Sequence, residues 1–203
     1  MTAASTPKTV TQPESFTFTK ANLKTAKAII ARYPEGRQAS AVLALLDLAQ
    51  RQHDNWLPRA AMDAVAEMLD MPPIRVYEVA TFYTMFNLAP VGRNFLQVCT
   101  TTPCWLCGSN EVLRACKDVL DIGPGESTAD GSFSVVEVEC LGACVNAPML
   151  QLNDDYYEDL DYARTKALLE ALKRGEAPDP GPQVARQASA PVTGPTTLSE
   201  TKV

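Results

Sequence analysis

Residues 94–107 read NFLQVCTTTPCWLC, and a counterpart at 132–144 reads SFSVVEVECLGAC. NFLQVC has the short apolar run of a strand, and SFSVVEVE at 132–139 alternates over its whole length. Each strand ends on a cysteine, Cys99 in one case and Cys140 in the other. Between them, residues 109–120 carry helical periodicity with Ser109 as a plausible N-cap, and a Gly-rich turn (IGPGESTADG) leads back into the second strand. MLQLN at 149–153 reads as a third strand, and Tyr156 and Tyr157 fit a short edge strand. A last helix spans about 161–174, with Leu168 and Leu172 as core contacts and Gly175 as its stop. The order β-α-β-β-α predicts a compact α+β unit over 91–175.

Outward from this unit the character changes. Residues 16–90 are helical in pattern: Leu23, Ala26, Ile30 and Tyr33 repeat at helical spacing before Pro34, and Val42, Leu45, Leu46 and Ala49 mark a second helix. Leu57, Ala61, Ala64, Val65 and Met68 mark a third, with Pro58 suited to its first turn. Pro72-Pro73 opens a fourth, with Val76, Val79, Ala80 and Tyr83 on one face. Four short amphipathic helices with short connections predict a small bundle. Residues 1–15 are polar and rich in Pro and Thr, which predicts a flexible arm. Residues 176–203 hold five prolines and no aromatic residue, which predicts a disordered tail. For the α+β unit, a thioredoxin-like arrangement is the leading candidate.

Composition narrows the function. With 46% hydrophobic and 21% charged residues, the 203-residue chain has the balance of a globular protein. No apolar run approaches the roughly 20 residues needed to cross a bilayer. The N-terminal stretch has neither a secretory signal's apolar core nor a transit peptide's arginines, so a cytoplasmic bacterial or processed organellar location is expected. A net charge of −6 gives no basic stripe for nucleic acid and no polybasic segment for a membrane surface. The single histidine, His53, leaves little for a catalytic triad and suits a helix-end cap or surface contact.

The six cysteines carry the chemistry, and all lie between Cys99 and Cys144. Outside a secretory context they are expected as thiols available to a metal or redox centre. Cys99 and Cys104 are separated by four residues, and Cys140 and Cys144 by three. Two strand-end loops at one end of a sheet bring such pairs together, each pair taking one iron of a 2Fe–2S cluster. Gly108 and Gly142 leave room for close backbone approach. Structural zinc is the first alternative, although its pairs are usually closer in sequence. A dithiol redox site at Cys104-Trp-Leu-Cys107 ahead of a helix is the second, but it leaves Cys99, Cys140 and Cys144 unused. Cys116 sits mid-helix beside Val112 and Leu113 and reads as core. Cys107 is either a bystander or a substitute for Cys104. Trp56 and Trp105 read as packing residues, Trp105 also as a shield against water. Asp154, Asp155, Glu158 and Asp159 read as a solvated rim or a partner-facing edge. A cis peptide at Pro148 is left open.

CTTTPC at 99–104, VEVECLGACVNAPM at 136–149 and the following QLNDDYYEDL resemble the 2Fe–2S (24 kDa-type) subunit family of NADH:quinone oxidoreductase, respiratory complex I. The resemblance runs from about residue 16 to about 175 and includes ATFYTMFNLAPVG ahead of the first cysteine. It implies an N-terminal helical bundle followed by a thioredoxin-like ferredoxin domain. It assigns Cys99 and Cys104 to one iron and Cys140 and Cys144 to the other, with no ligand at Cys107. It also implies an electron-transfer subunit that accepts one electron from reduced FMN, with FMN and NADH on a flavin-bearing partner among the other peripheral-arm subunits. The site implied is the cytoplasmic side of a bacterial inner membrane, or the mitochondrial matrix side. Related modules serve NAD-linked hydrogenases and formate dehydrogenases. The chain holds no Gly-rich dinucleotide fingerprint, so NADH and flavin are expected to bind elsewhere and the chain alone is not expected to turn over.

Overall fold

The computed structural model describes residues 10–194 and 197. The chain divides into two compact units, residues 1–91 and 92–203.

The first unit is a bundle of α1 (Lys20–Ile30), α2 (Val42–Gln52), α3 (Arg59–Met68) and α4 (Pro73–Phe82). Thr19 caps α1 by accepting the Asn22 N–H at 3.2 Å. Pro58 is the N-cap of α3, one position earlier than expected, while Pro73 opens α4, where its missing N–H costs no helical bond. The apolar stripes meet in a core of Ala26, Leu45, Leu46, Leu57, Val65 and Val76. Burying each of the large aliphatic side chains here contributes about 1.5–3 kcal/mol. Gln50 ties α2 to the loop after α4, donating to Met85 O at 3.1 Å and accepting from Asn87 N at 2.7 Å. His53 is the C-cap residue of α2, and its ring meets Trp56 edge-on at 4.8 Å. Residues 10–15 lack regular structure, yet Gln12 accepts the Arg59 N–H at 2.9 Å; the rest of the expected arm, 1–9, lies outside the described residues.

The second unit runs β1 (Asn94–Cys99), α5 (Thr102–Leu106), α6 (Ser109–Leu120), β2 (Glu126–Ser127), β3 (Phe133–Val138), β4 (Leu150–Leu152), β5 (Asp155–Glu158), α7 (Tyr162–Lys173) and β6 (Gly181–Pro182). The sheet order is β2-β3-β1-β4-β5-β6. β1 and β3 are parallel, with Leu96 opposite Val135 and Cys99 opposite Val138, and α5 and α6 form the crossover between them. β4 lies antiparallel on the other side of β1, with Val98 opposite Leu150. Leu96, Val98, Val135, Leu150 and Leu152 share one core with Val112 and Cys116 of α6 and Leu168 and Leu169 of α7. Strand alternation then places Cys99 on the opposite face. There it packs with Cys104 and Met149 in a separate small cluster.

Three expectations need correction. Ser109 is the first residue of α6, not its cap; Gly108 holds the cap position at φ +102°, a conformation unfavourable for other residues. β5 is not the sheet edge, because β6 pairs parallel to it through Tyr157 and Glu158. The segment after residue 175 is therefore not a free tail. It contributes β6 and docks through Arg186, whose ion pair with Asp159 supplies the order that composition alone does not reveal. Residues 195, 196 and 198–203 lie outside the described residues. No helix among the described residues is long and apolar enough to cross a membrane.

Candidate metal centre

The four candidate cysteines gather at one end of the sheet. Cys99 is the last residue of β1 and Cys104 lies in the one-turn α5; both are 1% exposed. Cys140 follows β3, and Cys144 opens a short 3-10 turn, Cys144–Asn146; both are exposed. The parallel pairing of β1 and β3 brings the two loops out at the same end. The Cys140 and Cys144 sulfurs stand 3.4 Å apart. Two sulfurs on a tetrahedral metal with bonds of about 2.3 Å stand about 3.8 Å apart, so this pair needs only a small opening. The Cys99 and Cys104 thiols likewise influence one another, and charge at Cys99 and Cys104 is felt at Cys144 across the two loops. Among the described residues, no three His, Cys, Asp or Glu side chains are grouped to hold a metal ion. The thiols come as two pairs, Cys99 with Cys104 and Cys140 with Cys144.

Each loop supplies donors to the other. Burial opposes a thiolate at Cys99, but the Thr101 hydroxyl and N–H, the Cys104 thiol and the Leu141 N–H outweigh it and hold the Cys99 thiol below its ordinary range. Burial, reinforced by Cys99, pushes Cys104 up to about 12, against the pull of the Met149 N–H. The Gly142 N–H reaches the Cys140 sulfur at 3.4 Å and, with Cys144, lowers the Cys140 thiol; Cys144 is raised in turn, first by Cys140. Gly142 takes φ +86°, the turn that aims this N–H inward. Thr101 lies between the pairs: its hydroxyl is 3.4 Å from the Cys99 sulfur and also meets the Cys140 thiol. Sequence reasoning missed Thr101, and its only signal was a position inside the first cysteine loop.

The remaining sulfurs stand apart. Cys107 is the exposed C-cap residue of α5. Cys116 is buried in the α6 core, where desolvation pushes its thiol up to about 12. Trp105 does not pack inward; it is 56% exposed, beside the still more open Leu106. Ala147-Pro148 is cis, leading from the second loop into β4.

The sequence profile of the thioredoxin-like [2Fe-2S] ferredoxin family matches residues 26–173. The chain belongs to this family. Among relatives of this ferredoxin, an NADH-quinone oxidoreductase subunit of Rickettsia bellii (strain RML369-C) is 56% identical over 163 residues, 80% of this chain and 98% of the relative. The mitochondrial NADH dehydrogenase [ubiquinone] flavoprotein 2 of Dictyostelium discoideum is 52% identical over 188 residues, 93% of this chain and 76% of the relative. Among solved structures, the NAD+-reducing [NiFe]-hydrogenase in its H2-reduced state matches 68% of this ferredoxin with a TM-score of 0.59 and 25% identity. This chain spans only 23% of that hydrogenase chain. The family is thus an iron–sulfur one, and the donor set of the site, four thiols in two pairs with backbone N–H groups aimed at them, fits a 2Fe–2S cluster.

Proposed function

We propose that the chain is the 2Fe–2S electron-transfer subunit beside the flavin-bearing subunit of an NADH:quinone oxidoreductase, respiratory complex I. Cys99 and Cys104 would hold one iron, and Cys140 and Cys144 the other. One observation carries this reading. Two thiol pairs meet at the ends of β1 and β3 in a chain 56% identical to the Rickettsia bellii NADH-quinone oxidoreductase subunit over 98% of that relative. When bound, the cluster supplies a one-electron redox centre.

The chain's own residues prepare that role. Four thiolates around the iron pair accumulate negative charge, which disfavours a further electron. The N–H groups of Leu141, Met149 and Gly142 and the hydroxyl of Thr101 point positive dipoles at three of the sulfurs, which offsets part of that cost. Cys99 and Cys104 are shielded from water, whereas Cys140 and Cys144 face outward, which leaves the second loop as the side open to a partner. In this reading the partner holds FMN and NADH, and the chain accepts one electron from the reduced flavin. It sits with the other peripheral-arm subunits on the cytoplasmic side of a bacterial inner membrane, or on the matrix side in mitochondria, and binds no nucleic acid.

The likeness to an NAD+-reducing [NiFe]-hydrogenase favours a second reading, the equivalent module of an NAD-linked hydrogenase. Anaerobic titration with NADH tests the first. The cluster absorbance should bleach only after the flavin-bearing subunit of complex I is added. Bleaching by NADH with this chain alone, or none with that partner present, contradicts it.

A further inference from the structure

We propose that residues 177–190 form a strap that fixes the second thiol-bearing loop, with Arg186 as the positioning residue for Cys144. The importance of this for the cluster rests on the reading of Cys144 as a ligand. The existence of the strap does not.

Beyond Gly175 the chain returns along the outer side of β5. The Tyr157 hydroxyl donates to Pro178 O at 2.8 Å, β6 pairs with Tyr157 and Glu158, and Gln183 N donates to Glu158 O at 2.9 Å. Arg186 then turns inward. Its Nε donates to Asp159 Oδ2 at 2.9 Å and its Nη2 to Asp159 Oδ1 at 2.5 Å, with the two side chains only 6% and 14% exposed. The same Nη2 donates to Val145 O at 3.2 Å, and Nη1 to Ala190 O at 3.3 Å. A planar fork that binds a carboxylate in bidentate fashion and still reaches a carbonyl fixes the direction of that carbonyl.

Val145 follows Cys144 directly, and the next residue is tied to the same strap. Asn146 is 1% exposed; its Nδ2 donates to Glu158 Oε2 at 2.6 Å and to Ala188 O at 3.2 Å. Asn146 O accepts the Asp159 N–H at 2.8 Å. Glu158 and Asp159 therefore act as internal anchors rather than as a solvated rim. Cys140 and Cys144 are exposed, and packing reaches their loop only in part, through Leu141, Ala143 and Ala147 against the Cys99, Cys104 and Met149 cluster. Polar contacts add the Tyr156 hydroxyl on Leu141 O at 2.9 Å, the Asn146 bonds to Glu158 and Asp159, and the strap. An Arg–Asp pair so far out of water carries a desolvation cost that a loose tail would avoid.

The test uses the full chain with Arg186→Gln and Arg186→Lys. The first readout is hydrogen exchange in the cluster-free protein at the Asn146 and Ala147 amides, which donate to Ala143 and Cys144. Exchange there should quicken by roughly tenfold or more in both variants, since lysine keeps the charge but not the fork, while β1 and β3 amides stay as in wild type. In cluster-loaded protein, Arg186→Gln should shorten the lifetime against a chelator. It should also shift the midpoint potential negative, because the Asp159 carboxylate is left unpaired, and Arg186→Lys should recover the potential. Wild-type exchange at Asn146 and Ala147 in both variants overturns the strap, and an unchanged cluster lifetime in Arg186→Gln overturns Arg186 as the positioning residue for Cys144. Should Arg186→Gln fail to fold, Arg186→Lys decides by the same exchange readout. A wild-type chain that holds no cluster would sink the proposed function while leaving the exchange result to judge the strap.

Discussion

At Thr101, one hydroxyl placed between two sulfur pairs, the site differs most from a bare set of four thiols. Replacing it with valine keeps the shape and removes the donor. A neutral hydrogen bond contributes about 1 kcal/mol, so Thr101→Val should keep its cluster while the midpoint potential falls by roughly 40 mV in a redox titration. The cysteines sort by the same logic. Cys140→Ser should abolish the visible cluster absorbance, whereas Cys116→Ser should retain it, because Cys116 belongs to the apolar core that α6 shares with the sheet and α7. The raised pKa of Cys116, about 12, keeps it a neutral thiol throughout the neutral range. Cys116 is also buried and Cys107 exposed, so mass spectrometry after mild alkylation should find Cys107 modified and Cys116 untouched. The four candidate ligands were legible because their spacing and strand-end positions can be read along the chain. Thr101 was not, since its role arises only when the second loop folds over the first.

Two glycines flank or belong to the thiol-bearing segments, Gly92 just before β1 and Gly142 in the second loop, and replacing each isolates its part. Gly92 enters β1 so close to β3 that a Cβ would sit 2.4 Å from the Phe133 carbonyl carbon, and its N–H donates to Ser134 Oγ at 2.6 Å. The obstacle is backbone and cannot swing away. Gly92→Ala should therefore destabilise the second unit by about 1–3 kcal/mol, seen as a lowered thermal midpoint. Gly142 has open space around its missing side chain but takes a positive φ. Gly142→Ala should cost about 1 kcal/mol locally and make the cluster more labile to chelator, with the thermal midpoint of the first unit unchanged. The helices of the first unit and strands β1 and β3 were legible from periodicity. α5 was not, as a five-residue helix with a proline in its first turn carries too little pattern. The strap was hidden for a different reason. A low-apolar, proline-rich segment reads as disordered when only hydrophobic burial is counted, whereas Arg186 finds its partner Asp159 through charge and hydrogen bonding.

The whole molecule combines a helical unit of residues 1–91 with a ferredoxin unit of residues 92–203. Only the second carries the thiol pairs, and neither contains a Gly-rich dinucleotide loop. The purified chain is accordingly expected to show no NADH oxidation with artificial acceptors, while a co-purified flavin-bearing partner should confer it. Fold class and the family resemblance were legible over most of the chain because the cysteine blocks are long and distinctive. The most direct test of the central claim, that two thiol pairs hold a diiron centre, is the iron and acid-labile sulfide content of anaerobically purified protein. About two irons and two sulfides per chain are predicted. One zinc, or no metal with the four sulfurs joined as disulfides, would contradict it.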